Sequence, residues 1–137
     1  MPHMPNRVEP PGGAPAPDSA VLGGERLALG PLATVIADRY FAEFPEDLER
    51  YGDAALPWEL HDTAYCLQWA VLDVEGLGSL TREIAWLRDV LEARGFSLEH
   101  LARNLELSAD VIAESLGERG APVAERLRAG ARTARRG

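Results

Sequence analysis

The sequence has no lysine and a single cysteine, Cys66, and all 14 of its basic residues are arginine. One cysteine excludes an internal disulfide bond and a zinc site built from several thiolates. Three scattered histidines do not favour a multi-histidine metal site either. No apolar run approaches the roughly 18–20 residues that cross a bilayer, and the N-terminus has no signal-peptide pattern. These absences predict a cytoplasmic protein with no metal centre and no membrane association.

Motifs for catalysis and for nucleic-acid binding are also lacking. No serine or cysteine stands with a histidine and an acid in a recognisable catalytic arrangement, and no glycine-rich loop follows a strand pattern. Glu59 and Asp62 are close on one helical face, but such pairs on an open helix surface are usually solvated. The formal net charge is −8, which disfavours nucleic acid because that binding needs cations to neutralise phosphates. We therefore expect a non-enzymatic protein that binds no nucleic acid.

Proline and glycine divide the chain into a leader and a helical body. Residues 1–24 are so rich in both that they are predicted to be disordered. Residues 25–137 are predicted to form one all-α domain of five to six helices, with an arginine-rich helix at the C-terminus. Apolar residues recur there at helical spacing, and no alternating apolar and polar run is bounded by hairpin turn residues. No sheet is therefore predicted.

The segment Trp58–Glu75 is predicted to be the central helix of this domain. Pro57 suits its first turn, and the glycines that follow Glu75 suit its end. Four side chains spaced by four, three and four residues share one face: Trp58, Asp62, Tyr65 and Trp69. Cys66 lies beside this stripe, one turn after Asp62, and His61 lies one turn before Tyr65. The stripe either lines a pocket or packs as core with one exposed acid.

Six short motifs are spread between Tyr40 and Arg128. They are Asp62, Tyr65-Cys66-Leu67, Trp69, Trp86-Leu87, Arg94-Gly95 and Glu99-His100-Leu101. This pattern resembles the helical domain that stands beside a cobalamin-binding domain in many bacterial regulatory proteins, where histidine occupies the position of Cys66. The chain has no Asp-x-His-x-x-Gly segment for the lower ligand of cobalamin. The resemblance therefore implies the helical partner domain alone.

A second pattern is Glu59-Leu60-His61-Asp62 followed by Tyr65-Cys66-Leu67. It resembles, more distantly, the chromophore segment of the phycobiliproteins, which have a globin-like fold and bind a linear tetrapyrrole. The resemblance implies a globin-like fold here, with Asp62 bonded to the pyrrole nitrogens and His61, in place of an arginine, paired with a propionate. Glu59 replaces the attachment cysteine. Cys66, about two turns further along, is the alternative point of covalent attachment.

We therefore expect a sensory or carrier domain that binds a tetrapyrrole, with a linear bilin such as biliverdin ahead of heme. The expected binding residues are Asp62, Cys66, His61, Trp58, Tyr65 and Trp69. One alternative is a cofactor-free globin-like module that signals through a second copy of the chain or a partner regulatory protein. Another is a heme sensor with His61, His100 or Cys66 as the iron ligand. Each candidate also has a purely structural interpretation, and for Cys66 this is a small buried apolar residue.

Overall fold

The structure, a computed structural model, describes residues 15–136, most of which lie in helices. A short β-hairpin is followed by six α-helices within this range. The elements in chain order are β1 (Ser19–Leu22), β2 (Glu25–Ala28), α1 (Leu29–Glu43), α2 (Pro45–Tyr51), α3 (Ala55–Val74), α4 (Leu80–Ala93), α5 (Leu98–Leu116) and α6 (Ala121–Arg136). The predominantly helical fold predicted from the sequence is confirmed. None of the helices described is both long and apolar enough to cross a membrane.

The hairpin contradicts the prediction that the chain has no sheet. Strands β1 and β2 pair antiparallel, with Ser19 opposite Ala28. Gly23 and Gly24 connect them with φ angles of 60° and 82°. The two-residue turns that match the twist of paired strands need such left-handed conformations, which glycine adopts without steric cost. The strands have only four residues each, too few to display a clear alternating pattern in the sequence.

The predicted disordered leader, residues 1–24, overlaps this hairpin. Its part from 15 to 24 includes strand β1, and the backbone amide of Gly23 donates a 2.9 Å hydrogen bond to the Glu75 carboxylate at the end of α3. That part belongs to the folded domain, so the predicted boundary is corrected. Residues 1–14 lie outside the described residues.

Apolar side chains from the hairpin and from five of the six helices meet in one core. Helix α4 contributes one face at a spacing of three to four residues, formed by Leu80, Ile84, Leu87 and Leu91. Their spacing in the sequence is that of one apolar helical face. Helix α3 contributes Leu67, Ala70 and Val71, all with no measurable exposure. The middle of α3 is therefore the centre of the core.

Serine, glycine and proline set the helix ends. The Ser79 hydroxyl accepts from the third residue of α4, and the Ser97 hydroxyl does the same for α5, so each satisfies an amide that has no partner within its helix. Gly95, with φ of 76°, follows the end of α4. Helix α3 begins three residues earlier than predicted, because a 3₁₀ turn leads directly into it. Pro57 still falls in its first turn, where no helical hydrogen bond is lost.

The arginine-rich C-terminal helix α6 continues to the last described residue and does not fray there. Arg135 bonds two acids of α5, with its Nη2 2.7 Å from Glu99 Oε2 and its Nη1 2.6 Å from Glu106 Oε2. On the same face of α5, Arg103 bonds the Glu43 carboxylate of α1 at 2.7 Å and also pairs with Glu106. Arginine ion pairs thus tie α1 and α6 to α5 at the surface.

Helices α5 and α6 form the most extensive helix–helix contact, and Gly120 lies at the turn between them. A Cβ atom on Gly120 would lie 2.8 Å from Leu116 Cβ and 2.9 Å from both Cγ2 and the carbonyl oxygen of Ile112. Two of these contacts are with atoms that cannot move without moving the end of α5. Only glycine fits this position without a shift of the backbone.

We expect Gly120→Ala to lower the free energy of unfolding by about 1–3 kcal/mol, because it overpacks a closed turn. Chemical denaturation monitored by circular dichroism measures this loss. The matched control is Gly30→Ala on α1, where a new Cβ meets nothing within 4 Å. That variant should be unchanged or more stable by up to about 1 kcal/mol. Equal stabilities for the two variants would contradict the packing argument.

Candidate ligand-binding site

The predicted site residues all lie on α3 but have different surroundings. Trp58 and Asp62 line a pocket at the N-terminal half of the helix. Cys66 is buried in the core, with 1% of its surface exposed. Burial is the main cause that raises the pKa of its thiol well above the usual range, and the negative charges of Asp62 and Glu59 add to the effect. A protonated, packed thiol is a poor nucleophile, so this arrangement does not favour covalent attachment at Cys66.

The other three predicted residues lie on the flank of α3 that faces the N-terminal segment. Ring centroids are 4.8 Å apart for His61 and Tyr65, and 5.7 Å apart for Tyr65 and Trp69. The Tyr65 hydroxyl donates to the carbonyl of Pro15 at 2.9 Å. His61 lines a shallow groove that includes residues 15–18. The predicted stripe is therefore split between a pocket and a groove.

The pocket, called here the Asp62 pocket, lies where α1, α2, α3 and α5 meet beside the end of α4. Its aromatic and apolar lining consists of Tyr40, Phe41, Tyr51, Ala55, Trp58, Leu91, Phe96 and Leu101. Its polar lining consists of Asp47, Glu59, Asp62 and Asn104. The cavity that the centres of water-sized molecules can reach is about 40 Å³. The pocket is thus a narrow slot with aromatic walls and acidic groups.

Asp47 is the most buried acid of the pocket, with 4% exposure. The Tyr40 hydroxyl donates a short hydrogen bond to its Oδ2, and Nδ1 of His100 lies 3.0 Å from the same oxygen. The pKa of Tyr40 is raised far above its usual range, first by burial and then by this bond and the charge of Asp47. The His100 ring also stacks on Phe44 with centroids 3.8 Å apart. This network joins α1, α2 and α5.

The Glu59 side chain is more buried than the sequence predicts. Its Oε2 accepts a 3.0 Å bond from the Thr63 hydroxyl, and that hydroxyl accepts a 3.0 Å bond from Nδ2 of Asn104. Burial is the main cause that raises the pKa of Glu59 well above the usual value, and the charges of Asp62 and Asp47 raise it further. The Glu59–Asp62 pair is therefore not the solvated surface pair expected from the sequence.

Asp62 is also half-buried, with 19% of its side chain exposed. Burial raises its pKa, while the hydrogen bond with His61 and the positive charge of Arg94 act in the opposite direction. Nδ1 of His61 lies 3.0 Å from Asp62 Oδ1. The Arg94 guanidinium lies 5.1 Å from the ring centre of Trp58. A cationic side chain therefore stands near the aromatic wall and the acid.

Two buried polar atoms of the pocket residues have no hydrogen-bond partner within residues 15–136. They are Oδ1 of Asn104 and Nε1 of Trp58. Asn104 is only 5% exposed. Buried polar groups are almost always paired, and an unpaired one needs an explanation. An acceptor and a donor that the protein does not use are what a ligand site provides.

No protein-family model, curated protein or solved structure matches this chain. The two resemblances drawn from the sequence therefore stay predictions. The residues that the sequence interpretation missed are Tyr40, Asp47 and Asn104, which line the pocket, and Arg94, which lies near Trp58 and Asp62. Their positions in the sequence carry no signal for this role, since Asp47 lies 53 residues from His100 and Thr63 lies 41 residues from Asn104.

We expect Tyr40→Phe to destabilise the fold by about 1–3 kcal/mol, because it removes a donor from the buried Asp47 carboxylate. Denaturant unfolding checks this value. The matched control is Tyr65→Phe, which removes a surface hydrogen bond to Pro15 and should change the free energy of unfolding by no more than about 0.5 kcal/mol. A Tyr40→Phe protein as stable as the control would show that Asp47 does not depend on this bond.

Glu59 should make the stability fall as the pH rises. A carboxyl group whose pKa is raised by folding favours the folded state fully below its unfolded pKa and loses that contribution as the pH rises through its folded pKa. Glu59→Gln is therefore expected to match the wild type at acidic pH and to be the more stable protein at pH 8. Thermal melts across this range measure the difference. Glu125→Gln, at a 76% exposed side chain, should show no such divergence.

Proposed function

We propose that the chain is a non-enzymatic sensory or carrier domain that holds an organic ligand in the Asp62 pocket. The observation that carries this proposal is hydrogen-bonding capacity that the protein leaves unused in an aromatic slot. Asn104 Oδ1 and Trp58 Nε1 are buried without partners, beside the carboxylates of Glu59 and Asp62. Aromatic walls with a few convergent polar groups are typical of small-molecule sites.

A linear tetrapyrrole such as biliverdin is the ligand class that the sequence resemblance suggests. The carboxylate of Asp62 is suited to accept pyrrole N–H bonds, and Trp58 offers a ring face. Arg94, near both, is better placed than His61 to pair with a propionate, because His61 lines the separate groove. Because the slot is small, the proposal places one pyrrole ring inside it and the rest of the molecule across its mouth. The proposed binding is non-covalent, since Cys66 is packed in the core.

The heme alternative has less support. His61 lines the groove, His100 bonds Asp47, and Cys66 lies in the core. Neither the Asp62 pocket nor the groove is lined by two of these three candidate iron ligands. We also propose a globin-like arrangement of the six helices, for which the support is the motif pattern in the sequence.

A cofactor-free signalling module is the second candidate function. Two observations favour it: Cys66 is enclosed by the core, and the Asp62 pocket has little space that solvent can enter. In this case a second copy of the chain or a regulatory protein would cover exposed apolar side chains. Trp86 on α4 is 48% exposed and Leu77 in the preceding turn is 74% exposed.

The first test is the absorption spectrum of the protein purified after co-expression with a biliverdin-producing system. We expect a red-absorbing band that denaturation removes, because the proposed bilin is held without a covalent bond. Asp62→Asn should shift or abolish the band, since the amide no longer accepts as a carboxylate does. Asp110→Asn is the control, because that acid is 47% exposed and pairs with Arg128 at the surface.

A band that survives denaturation would contradict the non-covalent mode and require the core around Cys66 to open. An unchanged band in Asp62→Asn would remove Asp62 from the site. A colourless protein would contradict the tetrapyrrole proposal, and a dimeric mass in light scattering would then favour the cofactor-free module.

A further inference from the structure

We propose that the inner end of the Asp62 pocket binds the ammonium group of a small organic amine. Glu59, Asp62 and the amide oxygen of Asn104 would accept its N–H bonds, and the aromatic walls would contact its carbon chain. This inference rests on the proposed function only in placing a ligand in this pocket. It names a cationic ligand class that does not require a tetrapyrrole.

The polar groups of the pocket are mostly acceptors. The Asp47 carboxylate already accepts hydrogen bonds from Tyr40 and His100, so part of its hydrogen-bonding capacity is used. Glu59 accepts a hydrogen bond only from the neutral Thr63 hydroxyl and has no basic partner within residues 15–136. A ligand that complements Glu59 and the unpaired oxygen of Asn104 brings donors and positive charge.

Asn104 adds a neutral acceptor to the acids of the pocket. Its amide nitrogen donates to the Thr63 hydroxyl, which in turn donates to Glu59. The amide oxygen is therefore the unpaired atom, on a side chain that is 5% exposed and lines the pocket. A buried acceptor beside an uncompensated carboxylate is suited to an N–H cation.

The shape of the pocket favours an alkylammonium group over a larger cation. The space that solvent can enter, about 40 Å³, holds on the order of three waters. The walls include Tyr40, Tyr51 and Phe96, and aromatic faces attract a cation as well as methylene groups. Within the described residues, no three His, Cys, Asp or Glu side chains come together as metal ligands.

The raised pKa of Glu59 fits the same inference. Burial and two neighbouring acids disfavour its charged form, and an ammonium ion at hydrogen-bonding distance would favour it. The pocket therefore contains a carboxyl group whose ionisation a cationic ligand would stabilise.

Isothermal titration calorimetry with n-butylammonium chloride tests the inference on the full chain. We expect saturable binding, whereas n-butanol, which has a similar chain but no charge, should bind at least about tenfold more weakly. Magnesium chloride at the same ionic strength serves as the inorganic control and should not compete. Binding of butanol equal to that of butylammonium, or displacement of the amine by magnesium, would overturn the inference.

Two variants locate the binding. Glu59→Gln should weaken butylammonium binding at least about tenfold, and this loss is not explained by unfolding because the variant is expected to be stable at neutral pH. Glu125→Gln on the exposed face of α6 should bind as the wild type does. Undiminished binding by Glu59→Gln would overturn the inference.

The outcomes also separate this inference from the tetrapyrrole proposal. Binding of biliverdin through Asp62 without any binding of butylammonium would overturn the ammonium inference and support the tetrapyrrole. Binding of the amine by a protein that stays colourless with biliverdin would do the reverse. If neither ligand binds, both proposals fail.

Discussion

The buried carboxylate of Asp47 imposes the constraint on which the arrangement of helices around the pocket depends. An acid with 4% exposure needs donors, and it finds them in Tyr40 of α1 and His100 of α5. Since Asp47 itself belongs to the short helix α2, this one group fixes three elements relative to one another. The N-terminal half of α3 then closes the fourth side. The pocket is the space that remains between these four elements.

This arrangement leaves the pocket with more hydrogen-bond acceptors than donors. Tyr40 and His100 donate to Asp47, so they are not available to Glu59 or Asp62. Glu59 must use the Thr63 hydroxyl one turn along its own helix. The same packing that stabilises Asp47 therefore leaves Glu59 without a compensating charge among the described residues. Natural proteins tolerate such incomplete satisfaction mainly at functional sites.

Local patterns in the sequence were sufficient to predict the helices but not to predict which residues line the pocket. Ser79 and Ser97 cap their helices through residues three positions away, so the sequence alone predicts those boundaries. The hairpin was missed because its strands are four residues long, although Gly23-Gly24 is a hairpin signal. The pocket depends on contacts such as Thr63 with Asn104, whose separation along the chain is set by tertiary packing. The stripe on α3 was split because a 20-residue helix, about 30 Å long, meets different neighbours along its length.

The arginine ion pairs on α5 respond differently to solvent from the buried Asp47 network. Arg135 of α6 pairs with Glu99 and Glu106 of α5, and Arg103 of α5 pairs with Glu43 of α1, all through partly exposed side chains. Mobile ions screen such pairs, whereas they do not enter the contact between Tyr40 and Asp47. Rising ionic strength therefore loosens the outer attachments of α1 and α6 while the interior bond that shapes the pocket persists. Salt therefore weakens the interactions that hold the surface of this domain much more than those that hold its centre.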